Sequence, residues 1–273
     1  MRWQKIFQVF KIADLRRKIF FVLAVFAIFR LMANIPMPGI DAANLQDFFN
    51  RFKALGFLSV LTGGALSNFS IIMLGLGPYI TAVIILQLLT MIFPQLEKIY
   101  KEEGEAGRQK FNQWGRLLTI PLAVLQSYAM LGWFQRGPNP VISAMSLADT
   151  ITAIVTITAG TVLLMWLGEL ITEKGIGNGV SLLIFAGIIA GVPMNVYQVW
   201  QEISVDPAKI MNYVLFFVMA LAVITAVVLI TEGRRNIPVS YAKRVRGNKM
   251  FGGVSTYLPL NINPAGVIPI IFA

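Results

Sequence analysis

The sequence predicts an all-α integral membrane protein, a multi-span helical bundle interrupted by one irregular segment. Three observations carry this reading: an apolar composition, a succession of apolar runs of membrane-spanning length, and basic residues gathered on one side. Of 273 residues, 56% are hydrophobic and 13% charged, whereas soluble domains carry about a quarter charged residues. Mean hydropathy is +0.70. One soluble core of this length has no use for so much apolar surface. The chain has no cysteine and no histidine, which excludes disulfides, thiolate or imidazole metal sites and imidazole catalysis. No paired carboxylates or Ser/His constellation are found, so the chain reads as a non-enzyme without cofactor or metal. The net charge of +10 points to anionic partners, and in a membrane protein lipid headgroups come first.

A spanning helix needs about 20 mostly apolar residues. The first such segment runs from about Ile19 to Ile35, with Arg30 near its far end. It follows a basic tail but lacks a small-residue cleavage site, so it reads as a retained span rather than a signal peptide. The second lies within Phe69 to Phe93, the third from about Leu117 to Phe134, and the fourth from Thr150 to Ile171. The fifth, Val180 to Trp200, is expected to thin after Pro193, and the sixth is Tyr213 to Thr231. A seventh begins near Ala265, and the sequence stops at Ala273. That stretch supplies about 13 Å of helix against a hydrocarbon core near 30 Å. The expectation is that the chain inserts but, by itself, neither spans there nor translocates protein.

Placing the N-terminus in the cytoplasm puts 18 of the 23 basic residues on that side. They fall in the tail, around Lys98 to Arg116, at Lys174, and between Arg234 and Lys249; Arg30, Arg51, Lys53, Arg136 and Lys209 lie opposite. Such a bias is what the positive-inside rule requires. Arg30 and Glu169, the ionisable residues within spans, lie near span ends where snorkelling suffices.

No charge occurs between Lys53 and Glu97, a stretch too long for one helix and too short for two spans with a loop. Its first part, Leu58 to Ser70, holds Gly63, Gly64, Ser67, Asn68 and Ser70. Irregular backbone is tolerated at membrane depth only where protein or a water-filled cavity covers it. A re-entrant element is therefore favoured, followed by a helix from Gly75-Leu76-Gly77-Pro78 with Pro78 in its first turn. An external loop before one plain helix is the alternative.

Gly175-Ile176-Gly177-Asn178-Gly179 joins two spans and lacks the strand a dinucleotide fingerprint needs. It reads as a tight turn that makes the fourth and fifth helices antiparallel neighbours. Gly187 and Gly191 form a G-x-x-x-G pattern that would allow close helix approach. In the loop from Glu232 to Pro264, Val239 to Val245 and Met250 to Leu258 could pair as a hairpin around Gly247-Asn248. This loop suits a docking surface for a large cytosolic partner; a polybasic patch resting on anionic lipid is the plainer reading.

Several runs together resemble the SecY/Sec61-alpha family of bacterial and related protein translocases. They are Ile35-Pro36-Met37-Pro38-Gly39-Ile40-Asp41, Gly63-Gly64-Ala65-Leu66-Ser67, Gly75-Leu76-Gly77-Pro78-Tyr79-Ile80, Trp166-Leu167-Gly168-Glu169, Tyr241-Ala242-Lys243-Arg244 and Asn263-Pro264-Ala265-Gly266-Val267-Ile268-Pro269. They occur in the family's order over nearly the whole chain. The resemblance implies a ten-helix channel of two inverted five-helix halves. Residues 1–200 would form the first half, with a plug at 58–70; residues 201–273 would hold the sixth helix, the basic loop 232–264 and the start of the seventh helix. It implies a pore ring including Leu76, Ile80, Val180, Ile184 and Ile271, with Leu76 and Val180 departing from the usual isoleucine. It implies a plug around Gly63, Gly64, Ala65, Leu66 and Ser67, and cytosolic docking through Lys243, Arg244, Arg246 and Lys249. The implied function is to pass unfolded polypeptides across the bacterial plasma membrane and release membrane segments sideways into lipid. The implied partners are SecE, SecG, the SecA motor and the ribosome. A small-solute carrier or ion channel built from inverted repeats is the alternative, and it would call for a mid-membrane charge or polar ligand set that is not found.

The charge split yields a direct test. Single cysteines replacing Lys101 and Lys249 are expected to be shielded from an impermeant thiol reagent in intact cells. Ready labelling of both would invert the topology.

Overall fold

A computed structural model describes residues 12–38, 42–52, 56, 59–60, 62–135, 140–142, 145–240, 244–246, 249–251 and 255–263. The chain divides into two compact units, Met1–Asn195 and Val196–Ala273.

In the first unit, α1 (Ala13–Ala33) covers the first apolar run. Its Val22, Val25, Phe29 and Met32 recur every three to four residues and are buried, the spacing of one helix face. A short helix α2 (Ala42–Arg51) follows. Its Phe48 stacks at 4.8 Å from Phe134 and 5.9 Å from Trp133. Helix α3 (Gly77–Ile92) starts with Pro78 in its first turn, as expected. At Phe93 the chain bends by 113° into α4 (Pro94–Lys101). Pro94 is the cause, because it removes a backbone donor and drives the preceding residue out of the helical region; Phe93 is extended at φ −108°, ψ 108°.

Helix α5 (Gly104–Gln135) begins well before the Leu117 expected from hydropathy. Its polar first turns fold back along α4, where Tyr100 meets Phe111 at 4.8 Å and Lys110 pairs with Glu103 at 2.9 Å. Glu97 sits 2.7 Å from Lys101, and this hydrogen bond raises the ammonium pKa above its ordinary value. Helix α6 (Leu147–Lys174) is capped by Ser146, whose hydroxyl oxygen accepts from the Asp149 amide at 3.2 Å. Helix α3 packs on α5, α5 on α6, and α1 on α6.

The turn 175–178 leads into α7 (Gly179–Val205), which continues through Pro193 rather than thinning there. Close approach at this turn is direct: a Cβ at Gly179 would press into the Gly168 carbonyl and lie 2.7 Å from Ile171 Cβ. Thr172 stitches the same spot, donating to the Gly168 carbonyl at 3.0 Å and accepting from the Gly179 amide at 2.9 Å. The tight turn expected from the glycine run is thus present, with α6 and α7 in direct contact where they meet it.

In the second unit, Pro207–Lys209 forms a 3-10 turn into α8 (Ile210–Glu232). Glu202 joins the two ends of this connection, accepting from Tyr213 at 2.7 Å and from Lys209 at 3.5 Å. The chain then enters β1 (Arg234–Ser240), β2 (Arg244–Arg246), β3 (Lys249–Phe251) and β4 (Ser255–Asn261). β1 pairs with β4 and β2 with β3, both antiparallel and in one common register. Val239 faces Thr256 and Val245 faces Met250, so the expected pairing forms and extends further, to Arg234 and Asn261; the turn at 247–248 lies outside the described residues. The Ile262 amide donates to the Gly233 carbonyl at 2.9 Å. Counting from that bonded pair, Pro238↔Tyr257 and Asn236↔Pro259 fall at non-hydrogen-bonded positions. Neither proline therefore costs a ladder bond.

The Gly179 contact predicts a stability difference. Gly179→Ala is expected to lose about 1–3 kcal/mol through overpacking against backbone that cannot yield, read as a lower melting temperature in detergent. Gly132→Ala, with open space around its Cβ position, should match or exceed the parent. Equal melting of Gly179→Ala and parent would refute the tight contact.

Candidate functional site

Residues 62–76 form neither a helix nor a strand ladder but a series of turns. Each polar backbone group there needs a partner from within the protein. Thr62 donates its hydroxyl to the Ser59 carbonyl at 3.0 Å and accepts from the Leu66 amide at 3.3 Å. Ser59 accepts from the Ser67 amide at 3.2 Å, and Ser67 donates to the Gly64 carbonyl at 3.0 Å. Turn bonds from Gly64 to Ser59, Asn68 to Gly64 and Ser70 to Ala65 complete the segment. Its exit is pinned to the chain after α1: Met37 donates to Phe69, Ile71 donates to Ile35, and Pro36 and Ser70 form an antiparallel bridge. Gly64, Ser67, Asn68 and Ser70, named from the sequence as marks of the irregular element, take part in this network, and Ser59 and Thr62 join them.

The segment's side chains divide between two apolar clusters. Ala65, Ile72 and Leu76 join Val22, Val25, Phe29, Leu164, Leu167, Ile171 and Leu183. Leu66, Phe69 and Met73 join Met37, Leu131, Phe134 and Ile157. Phe69 takes φ +47°, a conformation costly for a bulky residue. Its ring is fully buried and sits edge-on to Phe134 at 5.0 Å, and that burial offsets the strain. Gly63 lies at φ +67°, and a Cβ there would come 2.9 Å from Gly187 Cα. In the G-x-x-x-G pattern of α7, Gly187 abuts the irregular segment, and a Cβ at Gly191 would have only Asn195 near, at 3.9 Å.

Four of the ring candidates come together. Leu76 is a buried member of the first cluster, and Ile80, Val180 and Ile184 pack against it half-buried. They reach it from α3 and α7, elements far apart in sequence. Ile271 lies outside the described residues. Two further contacts were not expected from sequence. Arg30 donates from Nη1 to the Gly63 carbonyl at 2.6 Å. Arg116 Nε donates to Glu169 Oε1 at 2.6 Å, tying α5 to α6. Both span-end charges thus have protein partners rather than relying on snorkelling alone. Their only signal in sequence was a charge inside an apolar run. An open apolar groove of about 500 Å³ between α5 and α6, lined by Val124, Val155, Thr158, Val162 and Trp166, shares no residue with the ring cluster.

Among the docking candidates, Arg244, Arg246 and Lys249 lie on β2 and β3, with Arg246 paired to Lys249 and Arg244 to Phe251. Lys243 lies outside the described residues. Among the described residues no group of three or more Asp or Glu side chains could hold a metal ion.

Four helices are long and apolar enough to cross a membrane, or five counting the bent pair α3–α4 as one span. Together with a buried irregular segment and an apolar cluster between the helices, they define a polytopic helical membrane protein. Known proteins make this specific. The family model SecY matches residues 70–273. Protein translocase subunit SecY of Corynebacterium glutamicum is 44% identical over 279 residues, covering 98% of this chain and 62% of that protein. Protein translocase subunit SecY of Vibrio cholerae is 43% identical over 264 residues, covering 96% and 59%. The fold matches a solved protein conducting channel with TM-score 0.61 at 20% identity, over 92% of this chain and 54% of that one. It also matches Sec61 of the canine ribosome-channel complex from the endoplasmic reticulum, with TM-score 0.56 at 20% identity, over 80% and 48%. The chain belongs to the SecY family, and it spans about three-fifths of the length of these curated relatives.

Proposed function

We propose that this chain supplies the first half of a protein-conducting channel in the bacterial plasma membrane, with its N-terminus in the cytoplasm. The observation that carries the reading is the convergence of Leu76, Ile80, Val180 and Ile184 on one apolar cluster that also takes in Ala65 of the buried segment. An apolar constriction resists ions, because moving one from water to a medium of low dielectric carries an idealised cost of order 20 kcal/mol. Aliphatic side chains also offer a passing polypeptide no hydrogen bonds to stick to. On this reading Leu76, Ile80, Val180 and Ile184 are ring residues, joined by Ile271. Gly63, Gly64, Ala65, Leu66 and Ser67 are the core of a plug. Unfolded polypeptide crosses the ring, and membrane segments leave sideways into lipid. SecE and SecG complete the complex, and SecA or the ribosome docks on the basic hairpin through Lys243, Arg244, Arg246 and Lys249. The chain acts as a conduit, with catalysis left to its partners.

Deleting residues 62–68 from the complete channel is expected to raise resting ion conductance in planar bilayers while leaving translocation possible. Unchanged conductance would remove the plug role. Reversing Lys243, Arg244 and Arg246 to Glu should weaken binding of ribosomes or SecA. The loss should be greatest at low ionic strength, where surface charge is least screened. Parent-like affinity at low salt would remove the docking role.

A further inference from the structure

We propose that Arg30 is the residue that positions the plug, holding it by a single charge-assisted bond that is released when the plug moves. This rests on the plug reading above. Arg30 stands on α1, half-buried, beside the buried Phe29, Met32 and Ala33. Its Nη1 donates to the Gly63 carbonyl at 2.6 Å. Among the described residues it takes part in no ion pair.

The choice of acceptor matters. A charged donor makes a stronger bond to a carbonyl than a neutral donor does. A carboxylate on the plug would bind more strongly still, but unseating it would strand two charges. A carbonyl leaves only the guanidinium, which near a span end can be hydrated. The bond is thus firm when made and tolerable when broken, as a reversible seat requires.

Its position matters as much. Gly63 lies close against α7, with its Cβ position 2.9 Å from Gly187 Cα and 3.3 Å from the Phe29 ring. Adjacent residues of α1 therefore grip the same glycine, Phe29 by contact and Arg30 by hydrogen bond. One turn further along α1, Asn34 donates to the Arg30 carbonyl at 2.8 Å and accepts from Asn68 at 3.3 Å. Consecutive turns of one helix thus hold both ends of the 63–68 stretch. A side chain at position 63 would collide with α7, and the long guanidinium side chain of Arg30 reaches past Phe29 to the Gly63 carbonyl.

The test uses the complete channel in planar bilayers. Arg30→Met removes every donor, whereas Arg30→Lys keeps one. Arg30→Met should shift the plug about tenfold toward its unseated state, given the usual strength of a bond to a charged group. Resting ion conductance should rise accordingly, and Arg30→Lys should stay near the parent. In a channel already lacking residues 62–68, Arg30→Met should add nothing. A second measurement reports position directly: with Asn34→Cys and Asn68→Cys, crosslinking by a short bifunctional thiol reagent should slow on adding Arg30→Met. Arg30→Gln, a gentler change with shorter reach, should slow it in the same direction should Arg30→Met fail to accumulate. If the 62–68 deletion raises conductance but no Arg30 substitution alters conductance or crosslinking, the latch is wrong and the plug stands. If Arg30→Met acts fully in the deleted background, Arg30 works elsewhere and the proposal falls. If the deletion itself changes nothing, the plug reading falls first.

Discussion

Where peptide groups find hydrogen-bond partners away from water is the constraint on which the rest of this structure depends. A spanning helix satisfies its own backbone, which is why most of the chain is helical. Residues 62–76 do not, and their surroundings follow from that. Thr62, Ser59 and Ser67 take up local donors and acceptors, while Ile35 and Phe69 accept the bonds that join the segment to the strand-like stretch after α1. Burial then becomes possible: Ala65, Ile72 and Leu76 enter one cluster, and Leu66, Phe69 and Met73 enter the other. An irregular segment with unpaired amides would be expelled from such a place at several kcal/mol per group. Its polarity is therefore what permits it to be buried.

This arrangement has a bearing on movement. The segment is tied by many short-range bonds within itself and by few to the helices around it. Among the described residues the hydrogen bonds outward are the Arg30 bond to Gly63, the Asn34–Asn68 pair and those of the bridged stretch, where Met37 donates to Phe69 and Ile71 to Ile35. A unit of that kind can shift as a body while keeping most of its internal hydrogen bonds. Gly75, with φ +56° at the end of the segment, supplies backbone freedom where such a shift would meet the rigid helix α3.

Much of this was legible in the sequence, and the pattern of success is physical. The spans at α3, α5, α6, α7 and α8 announced themselves through apolar runs, the start of α3 through Pro78, and the α6–α7 turn through its glycines. The run expected to be the first span forms the helix α1, which is not among the helices long and apolar enough to cross a membrane. The β-hairpin was legible in its register because alternation and a central Gly-Asn fix pairing. Other features were hidden because they depend on contacts distant in sequence. Hydropathy does not register the polar first turns of α5, which are helical because they pack along α4. The short helix α2 carries its aromatic face toward Trp133 and Phe134, which no local window reveals. The G-x-x-x-G pattern marked Gly187 as a place of close approach, but its neighbour Gly63 is distant in sequence and no local pattern reveals the pairing. Arg30 was visible as a charge in an apolar run, but its acceptor is a backbone carbonyl and has no signature in residue type.

The prolines of the hairpin carry a consequence for how it can be read. At Pro238 and Pro259 the backbone nitrogens point away from the ladder, toward the two free margins of the sheet. Each margin therefore lacks a donor in the middle of its row. A third strand laid alongside would meet a gap there, and strand addition is a common way for extended peptides to bind. What remains for contact is the broad surfaces of the ribbon, where Ile237 and Leu258 share one side and Asn236 the other. Recognition on such a ribbon depends on side-chain shape and charge rather than on backbone pairing, and its edges give extended chains, rich in unpaired backbone, little foothold.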